Sequence, residues 1–225
     1  MSSSMEVQVR KHSRNQPWDY PQLDSLQRTI AASQGPGILL LNELSPVITL
    51  GKRANRGVEV PWPNERLAEM GIQLVTTDRG GLATYHGPGQ WVLFPVERLE
   101  RLTGDTRGVR KAVDGLLTTA LEVSLNYDLT SHIRSGCETG VWTRSGKVGS
   151  VGIHIDQGYL FHGLALNGLK TATSFLGVRP CGLDAPISYL LSDVPKQYQQ
   201  AEFDRMGEQL IAAFRKHFPL TEARG

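Results

Sequence analysis

Cys181 stands in VRPCGLDAP, between Pro180 and Gly182, in a segment that suits neither a regular helix nor a central strand. A thiol there either projects from a loop as a nucleophile or packs as a small hydrophobe, and the segment alone leaves both open. To act as a nucleophile it must become thiolate, which needs a base or a positive charge nearby. The chain offers His86, His162 and Lys147. Histidine is the usual base, so residue type alone favours a Cys/His pair. Lys147 is the less ordinary candidate: it opens KVGSVGI, an otherwise uncharged strand, where the alternative is a strand-edge lysine facing water. A Cys/Lys pair is chemically sound, because ordinary pKa values of about 8.5 and 10.4 favour proton transfer from thiol to amine by roughly 2.6 kcal/mol in water. Burial penalises both charges and their attraction opposes that penalty, so such a pair rests either as ions or as neutral partners. Cys137, in SGCETG, has no second chemical signal beside it and reads as inert.

The segment DRGGLATYHGPGQ gathers glycine-freed amides, an aromatic ring and an imidazole, and reads as a loop able to wrap a ligand. Within it His86 either touches that ligand or braces the loop. The segment is no phosphate cradle, since GxxxxGK[ST] is absent and no GxGxxG opens a helix. Gly152, Gly163 and Ala165 interrupt apolar strands, as glycine does where a ligand or another backbone comes close. An unbranched chain could use that missing bulk. The two cysteines are too far apart, and too poorly supplied with paired Cys/His spacing, for a structural zinc site, and no metal is expected.

The elements that must hold these residues can be outlined. Leu23, Leu26 and Ile30 keep helical spacing between Asp19 and Gly35, with Asp19 or Asp24 near the start. GILLLN and PVITLG read as buried strands, Pro63 to Met70 as a short helix, and IQLVTT as a further strand. WVLFPV is extended, and Val109, Val113, Leu116, Leu117, Ala120 and Leu121 mark the clearest helix. YDLTSHI, GVWTR, KVGSVGIHI and YLFHGLALN are four extended pieces, the last two joined by a hairpin turn at Asp156, Gln157 and Gly158. A short segment at Ser188 to Ser192 and a helix from about Ala201 to His217 complete the chain, and the part after Leu183 could form a small subdomain. Strands and helices do not alternate regularly, which predicts an α+β fold: a mixed, largely antiparallel sheet flanked by helices.

A length of 225 residues suits a single domain, taken as 1–225, and 40% apolar against 20% charged residues is enough for a sizeable core. A net charge of +2 is too small to point to nucleic acid as a partner. MSSSMEVQVRKHSRNQPWDY has no apolar core of a signal peptide, and the longest aliphatic run, Ile38 to Leu41, is far short of the roughly 20 residues that span a bilayer. The expectation is a soluble, cytoplasmic protein with no membrane partner.

Taken in order, PVITLG, DRGGLATYHGPGQ, GVWTRSGKVGSVGI, FHGLALN and RPCG resemble the octanoyl-carrier-protein:protein octanoyltransferase family, of the lipoate-protein ligase B type, from about Pro46 to Gly182. The resemblance implies the biotin/lipoate ligase catalytic-domain fold. It also implies transfer of octanoate from an acyl-carrier-protein thioester, through a Cys181 thioester, to a specific lysine of a lipoyl-accepting domain. Such acceptors are the lipoyl domains of 2-oxoacid dehydrogenase complexes and the glycine-cleavage carrier protein. Matched position by position, Cys181 is the nucleophile and Lys147 the group that lowers its pKa and shuttles protons. The acyl site is implied at Arg79, Gly80, Gly81, Leu82, Ala83, Thr84, Tyr85 and His86, at Ser150, Val151 and Gly152, and at His162, Gly163, Leu164 and Ala165. No cofactor is implied, because an acyl group that arrives as a thioester needs no nucleotide. The chain departs from the family pattern at Val148, at Gly168 and at Asn42 to Ser45.

Two rival enzymes fit parts of this pattern: an ATP-dependent lipoate ligase sharing the fold, and a Cys-dependent acyl thioesterase. A catalytically silent acyl-binding module is a third alternative. Lys52, Arg53 and Arg56, with Arg98, Arg101, Arg107, Arg110 and Lys111, are candidates for touching an acidic carrier protein.

Overall fold

The computed structural model describes residues 6–10, 18–179 and 186–220. A seven-stranded sheet runs in the order β1 (Glu6–Arg10), β2 (Ile38–Asn42), β6 (Gln90–Arg98), β10 (Tyr159–Asn167), β9 (Gly146–Asp156), β8 (Gly140–Thr143) and β7 (His132–Arg134). Only the β1/β2 pair is parallel; the other pairs are antiparallel. A three-stranded sheet places β3 (Val47–Leu50) between a parallel β4 (Gln73–Thr76) and an antiparallel β5 (Ala83–His86). This is the mixed, mostly antiparallel α+β arrangement that the element pattern predicts.

Helices cover both faces of the large sheet. On one, Leu116, Leu117, Ala120 and Val123 of α5 (Val109–Leu125) join Leu210 and Phe214 of α6 (Lys196–His217) over Leu93, Leu160, Leu164 and Leu166. On the other, Tyr20, Leu23 and Ile30 of α1 (Tyr20–Ala32) pack on Leu40, Val92 and Phe94. β6 lies between β2 and β10 with both faces covered, so its sequence is continuously apolar rather than alternating. Two short helices, α2 (Arg56–Glu59) and α3 (Asn64–Glu69), flank the small sheet, and α4 (Leu99–Thr103) leads into α5.

Local chemistry explains the boundaries. Asp19 caps α1 by accepting from the Gln22 amide at 3.0 Å while the Gln22 side chain accepts from the Asp19 amide at 3.4 Å. Gln157 and Gly158 form a two-residue turn with φ of 47° and 80°, the geometry that matches the twist of the β9/β10 hairpin.

Several elements differ from expectation. The glycine-rich segment is not all loop: Ala83–His86 is a strand, because its partner is the distant Val47–Leu50. YDLTSHI is extended only from His132, since Asp128 turns the chain by accepting from the Thr130 amide at 2.8 Å. The last helix begins at Lys196, and rather than standing apart it joins the core under Trp91, whose indole lies 4.7 Å from the Phe203 ring. That docking accounts for Gly168: a Cβ there would lie 2.6 Å from Phe203 and 2.7 Å from Met206.

Candidate active site

A cavity of about 350 Å³ lies where the small sheet meets the large one, within the range of small-molecule pockets. Its walls are three separate stretches of chain: Arg79 to Thr84 with His86, Ser150 to Ile153 on β9, and Gly163 to Ala165 on β10. Phe94, Arg53, Val109, Val113, Gly136, Cys137, Thr139 and Lys147 complete the lining. The fold thus brings together Arg79, Gly80, Gly81, Leu82, Ala83, Thr84, His86, Ser150, Val151, Gly152, Gly163, Leu164, Ala165 and Lys147. It does not place Tyr85 or His162 on this wall. Tyr85 is buried beneath the small sheet, its hydroxyl 2.8 Å from Thr173 Oγ1, and His162 is turned toward Tyr20 and Asp78. Cys181 lies outside the described residues.

Lys147 is 4% exposed, an unusual burial for a lysine. Its Nζ donates to the Thr139 carbonyl at 2.9 Å and stands 5.7 Å from the Trp142 ring centre. Glycine makes room for it, since a Cβ on Gly140 would lie 2.4 Å from Lys147 Cε. The backbone at Lys147 is pinned on its free side by the chain that follows Cys181. The Lys147 amide donates to the Pro186 carbonyl at 2.8 Å, and the Ser188 amide to the Lys147 carbonyl at 2.9 Å.

The Arg79 wall is fixed from behind. The buried Arg79 guanidinium donates to Thr49 Oγ1 and O at 2.7 Å and to the Gly80 carbonyl at 3.0 Å. Lys52 and Arg53 amides donate to the Arg79 and Gly81 carbonyls at 3.0 and 3.1 Å, which sets the exposed Arg53 at the cavity. Among the described lining residues Arg53, Arg79 and Lys147 are basic and none is a carboxylate. The strand glycines make room for protein rather than ligand: a Cβ on Gly152 would lie 3.1 Å from the Gly80 carbonyl, and one on Gly163 2.2 Å from that of Leu93.

Neither candidate histidine suits the role of base for a thiol. His86 is enclosed, its Nδ1 2.7 Å from Gln90 Oε1, and burial pushes its pKa down to about 3. His162 is likewise held below its ordinary value by burial. Its Nε2–H donates to Asp78 Oδ1 at 2.8 Å. His86 also predicts an acid sensitivity. Its folded pKa lies below the unfolded value of 6.5, so the unfolded chain binds more protons as pH drops and stability falls between pH 6.5 and 3. From pH 6.5 to 4.5 the loss from this group is roughly 2–3 kcal/mol. Thermal melts across that range should decline less steeply for His86→Gln than for the parent; parallel curves would refute this assignment.

The residues that sequence reasoning missed here, Phe94, Val109, Val113, Gly136, Thr139 and Ile153, carry no signal beyond apolar or small character, and Cys137, read from sequence as inert, also lines the cavity. Arg53 carries a charge that marks it as a candidate carrier contact, not as part of the cavity. No described helix is long and apolar enough to cross a membrane.

Comparison with known proteins agrees with this architecture. Among solved structures, lipoate-protein ligase A bound with ATP superposes with a TM-score of 0.63 at 14% identity, over 96% of this chain and 85% of that one. That likeness establishes the fold alone. By sequence, the octanoyltransferase of Magnetococcus marinus is 34% identical over 192 residues, 85% of this chain and 83% of that protein. The octanoyltransferase of Chloroflexus aggregans is 36% identical over 205 residues, 87% of this chain and 90% of that one. Residues 22–215 match the lipoyl protein ligase A/B catalytic domain, so the chain belongs to that family and, within it, to the octanoyltransferases.

Proposed function

We propose that residues 1–225 act as one catalytic domain that moves an octanoyl group from octanoyl-acyl carrier protein to a lysine of lipoyl domains, by way of a thioester on Cys181, in the cytoplasm. The observation that carries this proposal is a buried lysine, Lys147, on the wall of a cavity that the octanoyltransferase motifs build from three distant segments. Cys181 is five residues before Pro186, whose carbonyl accepts from the Lys147 amide, so the chain reaches at most roughly 18 Å from that anchor.

In the first half-reaction Lys147 takes the thiol proton, the Cys181 sulfur attacks the thioester carbonyl, and the carrier's sulfur leaves and takes the proton from the ammonium. In the second, the acceptor amine attacks the Cys181 thioester, Lys147 accepts the proton the amine sheds, and Cys181 leaves as thiolate. Thioester exchange is nearly isoenergetic and thioester to amide is downhill, so neither half requires nucleotide. Burial of about seven methylene or methyl groups at about 0.8 kcal/mol each supplies roughly 5–6 kcal/mol for holding the acyl chain.

Two of the basic groups stand beside this cavity. Lys52, Arg53 and Arg56 follow the strand that anchors Arg79, and Arg110 and Lys111 share α5 with the lining residues Val109 and Val113. Arg98 and Arg101 are engaged elsewhere, over the Tyr159 ring and with Glu97 at 2.7 Å. We assign carrier docking to the first two groups. The test is transfer from octanoyl-carrier protein to a lipoyl domain without ATP. The parent should transfer, and a Lys52→Glu/Arg56→Glu variant should show a KM for the carrier raised about tenfold at low salt, with a flatter salt dependence. A strict ATP requirement, or hydrolysis without acceptor preference, would favour the ligase or the thioesterase instead; an unchanged salt profile would remove the docking assignment.

A further inference from the structure

His162 occupies a backbone conformation that its place in a strand does not require. The β10–β6 ladder is paired at Leu160↔Glu97 and again at Leu164↔Leu93, and by that register the position opposite His162 is Pro95, which has no amide proton to give. Here His162 adopts φ 61°, a left-handed value uncommon outside glycine. Alternation would send residue 162 to the face of Leu160, Leu164 and Leu166, under α5 and α6. The reversed φ instead delivers the imidazole to the α1 side, and the His162 amide donates to Gln27 Oε1 of α1 at 2.7 Å. Strained residues of this kind persist where surrounding contacts over-determine them, and they collect at functional sites.

Those contacts are specific. The ring is fully buried, with Nδ1 3.0 Å from the Tyr20 hydroxyl and Nε2 2.8 Å from Asp78 Oδ1. Tyr20 is a buried phenol and Asp78 a carboxylate also held by Arg28 at 2.9 Å, so Tyr20 donates to Nδ1 and Nε2–H donates to Asp78. The Tyr20 ring centre is 6.0 Å from that of His86 and 6.2 Å from that of His162, and its plane is nearly parallel to both. Each contact leads to a cavity wall. His162 precedes Gly163 to Ala165, Asp78 precedes Arg79, and His86 ends β5.

We propose that Tyr20, His162 and Asp78 form a buried brace that fixes the spacing of two walls of the acyl cavity, the Arg79 and Gly163 stretches, making His162 a positioning residue for acyl-chain selection. The inference rests on the octanoyl transfer proposed above. His162 does not touch the cavity; it acts through the residues that follow it and through Asp78.

The test uses His162→Gly, which removes the imidazole while accepting φ 61° without strain, and Tyr20→Phe, which deletes one hydroxyl and keeps the ring. Steady-state transfer is measured with hexanoyl, octanoyl and decanoyl carrier donors, alongside thermal melts. His162→Gly should raise KM for the octanoyl donor about tenfold and Tyr20→Phe about threefold, with kcat within about twofold of the parent. In both, the preference for octanoyl over its neighbours should fall at least about threefold. A lower melting temperature with an unaltered chain-length profile would make the brace merely structural and overturn the proposal. Should His162→Gly not fold, Tyr20→Phe decides alone. A parent chain that transfers no acyl group would instead overturn the proposed function, so the two failures are distinct.

Discussion

Lys147→Met is expected to lower octanoyl transfer by roughly a thousandfold, in line with removal of a positioned proton-transfer group. Methionine keeps the length and apolar stem that lie over Gly140 and beneath Trp142, and it deletes the hydrogen bond from Nζ to the Thr139 carbonyl. Because a hydrophobe of similar length replaces a buried amine, the fold should survive, which separates lost chemistry from lost structure. The measurements are the transfer rate and the rate of Cys181 alkylation near neutral pH. Both should fall. A variant that transfers at the parent rate would remove Lys147 from the mechanism, and unchanged alkylation would remove its influence on the thiol.

Gly163→Ala should produce the largest loss of stability available from one added methyl group at this site. The new Cβ would stand 2.2 Å from the Leu93 carbonyl and 3.0 Å from Pro95 Cδ, and neither is the flexible end of a side chain. Overpacking against backbone in a central strand pair costs about 2–3 kcal/mol or more, which for a chain of this size lowers Tm by roughly 5–10 °C. Gly80→Ala is the control, since its nearest neighbour to an added Cβ is the Ile153 carbonyl at 3.5 Å. Equal melting temperatures for the two variants would show that β10 and β6 move apart freely at this point.

The comparison with sequence is instructive at particular residues. Leu23 and Ile30 of α1 and the apolar face of α5 follow from spacing alone, because a single helix face is a local property. The turn at Gln157 and Gly158 is equally local. The strand at Ala83–His86 is not: four glycines and a proline in its neighbourhood indicate a loop, and only the distant β3 makes it extended. Lys196 to Gln200 looks too polar to begin a helix, yet its first turns are exposed and ask for no apolar face. In the site, Lys147 was legible as a charge out of place. Its burial and its carbonyl partner belong to tertiary structure. Arg53 and Thr139 join the cavity through contacts that no local pattern encodes. His162 is the sharpest case: its motif marked it for the acyl site, whereas Pro95 across the ladder and a reversed φ turn it into the support behind the wall.

The central claim is a covalent octanoyl group on Cys181, and intact-mass analysis tests it most directly. On mixing with octanoyl-carrier protein the chain should gain one octanoyl group, mapped to the Cys181 peptide, and lose it when a lipoyl domain is added. Transfer with no such adduct at any time point, or at the parent rate in a Cys181→Ala variant, would contradict the thioester route.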